Sequence, residues 1–329
     1  MNLRFVTVTS CLLLFIFWSC RQTDKERLQA TASLEIFDEQ QSVISLLGKE
    51  LAAPALPEFE AAKRDSLLFV AKENFDKDPE NEENIIWYGR RLAYMSRYFA
   101  AINVYSRGIA TFPESYRLLR HRGHRFISVR KFAEAVADLS KAVKLAEGRP
   151  LEIEPDGLPN HLNKPLSNTH FNIWYHLGLA YYLQGDYQKA RLSYEACLKY
   201  ADNDDLLCAT ADWLFMTYQR LGEKEKAGQL LKIIGEDMQI IENDAYFKRL
   251  MMYKGLLSPD SLLSPTADQS DTPGLTMATQ GYGVGHWYLM NGDREKAIEI
   301  FQQVVAGKPW SAFGYIAAEV ELVRVLQLE

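Results

Sequence analysis

The sequence predicts an all-α, right-handed solenoid of helix hairpins, and three observations predict it. A pattern of small and apolar residues returns about every 34 positions: Gly89 and Gly123 are 34 apart, and so are Ala101 and Ala135. The same pattern recurs in residues 172–202 and 284–309. Within a copy, glycine punctuates two apolar stripes of helical spacing, where a residue without Cβ takes positive φ at low cost. A period of this size marks stacked helix pairs, each burying its face on the next, and makes partner binding the default function.

The first element in chain order is not part of the solenoid. Arg4 precedes an apolar run over 5–18, followed by Ser19 and Cys20. That run is too short to span a bilayer as a helix and fits the core of a signal peptide over 1–19. Phe17-Trp18-Ser19-Cys20 resembles a bacterial lipobox. The resemblance implies a lipoprotein: Cys20 becomes the new N-terminus and carries acyl chains such as palmitate, which hold the protein to a membrane of the cell envelope. Arg21 stands where inner-membrane retention uses aspartate, which points to the outer membrane. Residues 20–60 are expected to form a tether and a first helix, with Leu34, Phe37, Val43, Ile44, Leu46 and Leu47 packing it onto the array and Pro54 and Pro57 ending it. A second amphipathic helix over 61–74 then ends before Asp78-Pro79 and leads into the repeats.

Five stretches share one register. The first runs Tyr88, Gly89, Leu92, Tyr98, Ala101, Tyr105, Gly108, Pro113; the second runs Gly123, Phe126, Phe132, Ala135, Leu139, Ala142. The third, Trp174 to Tyr182 followed by Gly185-Asp186-Tyr187, Ala190, Tyr194 and Cys197, is the fullest. The fourth is Leu214, Tyr218, Gly222, Ala227, Leu231, with Phe215 where a small residue belongs. The last is Gly285, Tyr288, Gly292, Ala297, Phe301, Val304, Pro309. These residues resemble the tetratricopeptide repeat, which implies that each first helix lines a concave surface used for protein or peptide recognition. Two departures interrupt the array over 61–329. Residues 148–168 form a proline-rich insertion, and 258–276 hold the shortened second helix of a degenerate repeat, capped by Ser258 with Pro259 in its first turn, and then a loop over 264–276. Residues 311–326 are expected to form a helix that covers the last hairpin.

Chemistry is sparse. No glycine-rich phosphate loop with its Lys and Ser/Thr, HExxH or paired-cysteine motif occurs, so neither an enzyme nor a resident cofactor or metal is expected. His121 and His124 share a helix face, but Arg120, Arg122 and Arg125 make it a poor cation site. Cys197 reads as a core thiol; whether it pairs with Cys208 is open at this level.

Charge is more informative. The net charge is −6, yet ten basic residues against one acid, Glu114, fall between Arg90 and Lys131. The residues expected to face the groove are Arg90, Tyr94, Arg117, Arg120, His124, Asn172, Tyr175, Tyr182, Tyr282 and His286. Arginines suit forked contacts with carboxylates, and tyrosines supply rigid contact area. The expected partner is a protein or peptide of acidic character. The competing reading is an anionic glycan or phospholipid headgroup, and nucleic acid is not expected in the envelope. For the insertion, a strap across the array and a partner-contacting loop are the two readings.

Overall fold

The computed structural model describes residues 36–39, 41–263 and 274–326; the signal segment, Cys20 and most of the loop at 264–276 lie outside the described residues. The remainder is an α-solenoid. The leading helix α1 (Glu58–Lys77) is followed by hairpins α2 (Glu82–Tyr94) with α3 (Tyr98–Thr111), α4 (Tyr116–Ser128) with α5 (Phe132–Ala146), and α6 (Thr169–Gln184) with α7 (Tyr187–Cys197). Then come α8 (Asp204–Leu221) with α9 (Lys224–Lys232), α10 (Asp244–Tyr253) with the one-turn α11 (Pro259–Leu263), and α12 (Leu275–Met290) with α13 (Arg294–Ala306). The last helix, α14 (Phe313–Leu326), has no partner of its own.

One spacing rule builds the hairpins. A small residue on the first helix meets the side chain sixteen positions later on the second: Gly89 faces Tyr105, Gly123 faces Leu139, Gly178 faces Tyr194, and Gly285 faces Phe301. A Cβ on Gly178 would lie 2.7 Å from the Tyr194 ring. Twelve positions after the small residue stands an alanine, at 101, 135, 190, 227 and 297, each almost wholly buried. Gly178→Leu is therefore expected to cost at least the 1–3 kcal/mol typical of core overpacking. A urea midpoint equal to that of the unsubstituted protein would refute the register.

The turns obey the same register. Seven positions after the small residue the backbone is left-handed in all five full hairpins: Ser96, Arg130, Gly185, Gly222 and Gly292 have φ of 59, 64, 84, 73 and 89°. Caps start the first helices. The side chains of Asn81, Ser115, Asn168 and Asn203 each accept hydrogen bonds from backbone N–H groups of the first turn of α2, α4, α6 and α8.

The N-terminal segment departs from expectation. Instead of a helix, Val43–Ile44 (β1) pairs antiparallel with Glu50–Leu51 (β2). The cause is local. Two β-branched residues precede Gly48, whose φ of 77° closes a turn with Gly48 N–H donating to Ser45 O at 3.0 Å. Val43 and Leu51 are buried, whereas Ile44, Leu46 and Leu47 stay exposed. Phe37 still packs, with its ring centre 5.3 Å from that of Phe99, and its backbone is held at both ends by the Asn103 amide.

The C-terminal helix does more than cover the last hairpin. It crosses the inner surface formed by the first helices of the hairpins. Phe313 packs on His124 of α4 and His176 of α6. Glu319 forms a forked pair with Arg130 at the α4–α5 turn, 2.9 Å on each arm. Glu321 meets Arg220 at the end of α8 at 2.6 Å, and Arg324 donates to the carbonyls of Tyr182 and Leu183 at the end of α6. The N-terminal arm joins this closure, because the Trp310 indole donates to Ala52 O at 2.7 Å.

Candidate functional site

The expected groove residues separate into two groups. Tyr175, Tyr182, Tyr282, His286 and Asn172 are buried and do not line an open groove. Tyr182 and Tyr282 share a hydroxyl hydrogen bond of 2.8 Å across the array, and Tyr175 bonds Tyr246 at 3.3 Å. Asn172 binds Ser167 through its amide and receives the His176 ring on its carbonyl. His124 lies against His176, with ring centres 4.1 Å apart. Neighbouring helices and α14 pack against these side chains instead, with Phe313 set against His124, Tyr175 and His176.

The second group, Arg90, Tyr94, Arg117 and Arg120, lies at the N-terminal end of the inner surface and carries the insertion. The outgoing limb, residues 151–158, lies extended over α2 and α4. Glu154 Oε2 meets Arg120 Nη2 at 2.9 Å, Arg90 donates to Pro155 O at 2.8 Å, and Arg91 donates to Gly157 O at 2.8 Å. Gly157 rests on Tyr94 so closely that a Cβ would collide with the phenol. Arg117 gathers Glu82, Glu83 and, at 3.9 Å, Glu152. The returning limb is pinned through Asn203 to Leu166 O and Asn168 to Tyr200 O, and it pairs with the outgoing limb through Glu154 N–H to Ser167 O. Of the two readings of the insertion, the strap geometry is the one present.

Sequence reasoning missed two members of this surface. Trp87 carries the Arg90 and Arg91 guanidinium groups at 4.5 and 4.9 Å from its ring centre. Arg91 was visible only as part of the charge cluster. The cluster as a whole is largely matched within the chain: besides the strap, Arg122 pairs with Asp138 at 2.7 Å and Arg97 approaches Glu39 at 3.9 Å. These partners come from the preceding acidic stretch, the second helix of the same hairpin, the insertion and the far C-terminus.

Burial sets the electrostatics. It pulls the Arg120 guanidinium below its usual range, an effect that Glu154 partly offsets. Burial and the surrounding arginines hold His121, His124 and His176 well below the ordinary imidazole range, and burial with Arg220 and Arg249 does the same to His286. The His121 Nδ1 lies 3.0 Å from Arg120 Nη1 and is engaged there. Such a histidine stays neutral in the fold, while the unfolded chain takes up its proton below about pH 6.5. Stability is therefore complete above that pH and lost as pH falls, by up to about 1.4 kcal/mol per pH unit for each buried ring. The urea midpoint should be lower at pH 5.5 than at pH 7.5; an equal or higher midpoint at pH 5.5 would contradict the neutral cluster. Cys197 and Cys208 are free, and burial pushes both thiols up to about 12. No described helix is long and apolar enough to cross a membrane.

A family model, described as tetratricopeptide repeat, matches residues 171–204, the span of α6 and α7. No curated protein matches the sequence. Among solved structures, a tetratricopeptide repeat protein from Parabacteroides merdae is similar at 13% identity over 80% of this chain and 94% of its own, with a TM-score of 0.46. YrrB, a TPR protein with an unusual peptide-binding site, is similar at 14% identity over 75% of this chain and 96% of its own, with a TM-score of 0.40. MamA of AMB-1 is similar at 18% identity over 53% of this chain and 88% of its own, with a TM-score of 0.39. Residues 171–204 thus carry a tetratricopeptide repeat, and its small-residue, alanine and left-handed-turn positions recur through the other full hairpins.

Proposed function

We propose that the protein is a non-catalytic scaffold of the bacterial cell envelope, held to the membrane by lipid on Cys20, that binds a protein or peptide through the arginine surface of its first two hairpins. The observation that carries this reading is the way Arg90, Arg91 and Arg120 already hold an extended acidic segment by a carboxylate and two backbone carbonyls. Those are the groups any acidic peptide offers, and guanidinium forks recognise them with directional specificity. The anchor is supported by the apolar run that ends at Ser19-Cys20. The arm from Phe37 to Ala52, which is bonded to α3 and to Trp310, would join such an anchor to the folded array.

Affinity capture from detergent-solubilised membranes tests the binding reading. A specific protein should co-purify with the full chain and be lost on charge reversal at Arg90 and Arg117 together, which are half-buried and tolerate replacement better than Arg120. An enriched glycan or phospholipid in place of a protein would move the reading to the anionic-headgroup alternative. Cys20→Ala should leave an uncleaved precursor that takes up no labelled fatty acid, and normal processing of that variant would remove the anchor.

A further inference from the structure

We infer that the strap, residues 151–158, is a resident ligand: it occupies in cis a site that binds an extended acidic peptide of the form Glu-x-Glu-Pro-x-Gly in trans. The inference rests on the scaffold reading and names the chemistry of its partner and the contact that regulates access.

Four features of the strap distinguish a docked ligand from an ordinary surface loop. It turns a few residues inward between exposed ones: Glu154 and Gly157 are buried, while Ile153, Pro155 and Leu158 are exposed. Buried anchors separated by exposed residues are how a bound peptide seats itself on a surface. Its anchoring to the floor uses groups that an acidic peptide could supply, the carboxylates of Glu152 and Glu154 and the carbonyls of Pro155 and Gly157. The returning limb is fixed to the start of α8 and to the helical turn at Leu198–Tyr200 by bonds of its own, so the outgoing limb can leave by giving up its floor contacts and two backbone bonds to the returning side, Glu154 N–H to Ser167 O and Thr169 N–H to Glu152 O. Finally, the fit is incomplete. Glu154 Oε1, Asp156 Oδ2 and Arg120 Nε are buried with no hydrogen-bond partner among the described residues. A polar atom buried unpaired weakens the docked state, so a competing peptide that satisfies these atoms has a margin over the strap.

The floor itself is firm. Trp87 and Tyr94 brace Arg90 and Arg91 by ring contacts, and Glu82 and Glu83 hold Arg117, so the guanidinium groups remain in place when the strap leaves. Leu151, Ile153 and Leu158 are all exposed on the strap, which gives a displacing partner an apolar edge to grip. Gly157 is the latch, since a Cβ there would collide with the Tyr94 phenol and force the strap or the ring to shift.

The probe is a fluorescent synthetic peptide of residues 151–160, measured by anisotropy. Three full-length chains are compared: the natural one, one with 151–158 replaced by Gly and Ser at equal length, and Gly157→Val, which wedges the strap off Tyr94 without changing charge. The strap-replaced chain should bind the peptide at least tenfold more tightly than the natural chain, with Gly157→Val in between. A scrambled peptide should bind at least tenfold more weakly. Arg90→Glu with Arg117→Glu on the strap-replaced background should remove binding. Added salt should weaken it, since the charges become accessible once the strap is gone. Absence of peptide binding to both a cooperatively melting strap-replaced chain and Gly157→Val would overturn the inference, as would equal binding of the scrambled peptide. If membrane capture by the natural chain still depends on Arg90 and Arg117 in that case, the scaffold reading survives while the resident-ligand inference falls.

Discussion

Asp212→Ala is expected to destabilise the protein by about 3–5 kcal/mol, because it strands a charge in the core. Asp212 on α8 and Arg249 on α10 are both fully buried, and Arg249 Nε meets Asp212 Oδ1 at 2.8 Å. The second arm of the fork, Arg249 Nη2 to Asp212 Oδ2, completes the pair. Arg249 Nη1 donates to Thr279 O on α12 at 2.7 Å, and Gly283 leaves room for the arginine stem. This one side chain therefore ties three successive first helices together at the repeat whose second helix is reduced to Pro259–Leu263. With that helix shortened, apolar packing alone leaves α10 thinly supported, and the ion pair takes its place. Asp212→Ala combined with Arg249→Met should recover most of the loss, since an apolar pair of similar volume avoids the desolvation of both charges. Exposed pairs such as Lys72–Asp76 and Lys248–Asp244 should change stability far less when broken, because solvent screens them. A urea midpoint for Asp212→Ala within the range of those surface variants would refute the role assigned to the pair.

Glu319→Ala is expected to release α14 from the inner surface. Glu319 is fully buried, and its two oxygens take both arms of the Arg130 fork. Arg130 also donates to Ser128 O and Trp310 O, and it holds a left-handed backbone at φ 64° where three of the other full hairpins use glycine. A bulky residue is kept there at a cost in backbone strain, and the ion pair offsets it. Removing the carboxylate leaves the guanidinium buried without its counter-charge, a loss of about 3–5 kcal/mol if the helix stays docked. Undocking is the easier response, because Arg130 then regains water. The chain between α13 and α14 should become sensitive to protease, and Tyr182 and Tyr282 should gain solvent access. Arg130→Gly combined with Glu319→Gln should restore docking, since it removes the strain and both charges together. Continued protease resistance of Glu319→Ala would show that packing alone holds α14.

The repeats were legible in the sequence because their determinants are local. Gly178 and Tyr194, or Gly285 and Phe301, lie one hairpin apart, and a fixed spacing carries the information. The degenerate repeat was legible for the same reason: Ser258 caps it through Ser261 N–H, as its position before Pro259 implied. The closure of the inner surface was not legible. Arg130 and Glu319 are 189 residues apart, and no periodicity relates them. A residue facing a groove and one facing a helix that fills the groove have the same heptad-like offset, so Tyr175, Tyr182 and Tyr282 read alike in either case. The N-terminal hairpin was misjudged because helical spacing of Val43, Ile44, Leu46 and Leu47 competes with a turn at Gly48, and the turn prevails. The basic cluster was visible, but its partners Glu152 and Glu154 became neighbours only when the strap folded back over α2 and α4.

The central claim is that the inner surface of the array is occupied from within, by α14 where it meets α4, α6 and the end of α8 and by the strap at its N-terminal end. Amide hydrogen exchange on the natural chain tests this most directly, because exchange reports burial and opening segment by segment. Residues 313–326 should exchange as slowly as the central helix α6, and the strap should be intermediate, slower than the exposed turn at 45–48. Rapid exchange across 313–326, at the rate of a frayed terminal helix, would mean that the concave surface stands open and that the account given for Glu319, Arg130 and the buried tyrosines is wrong.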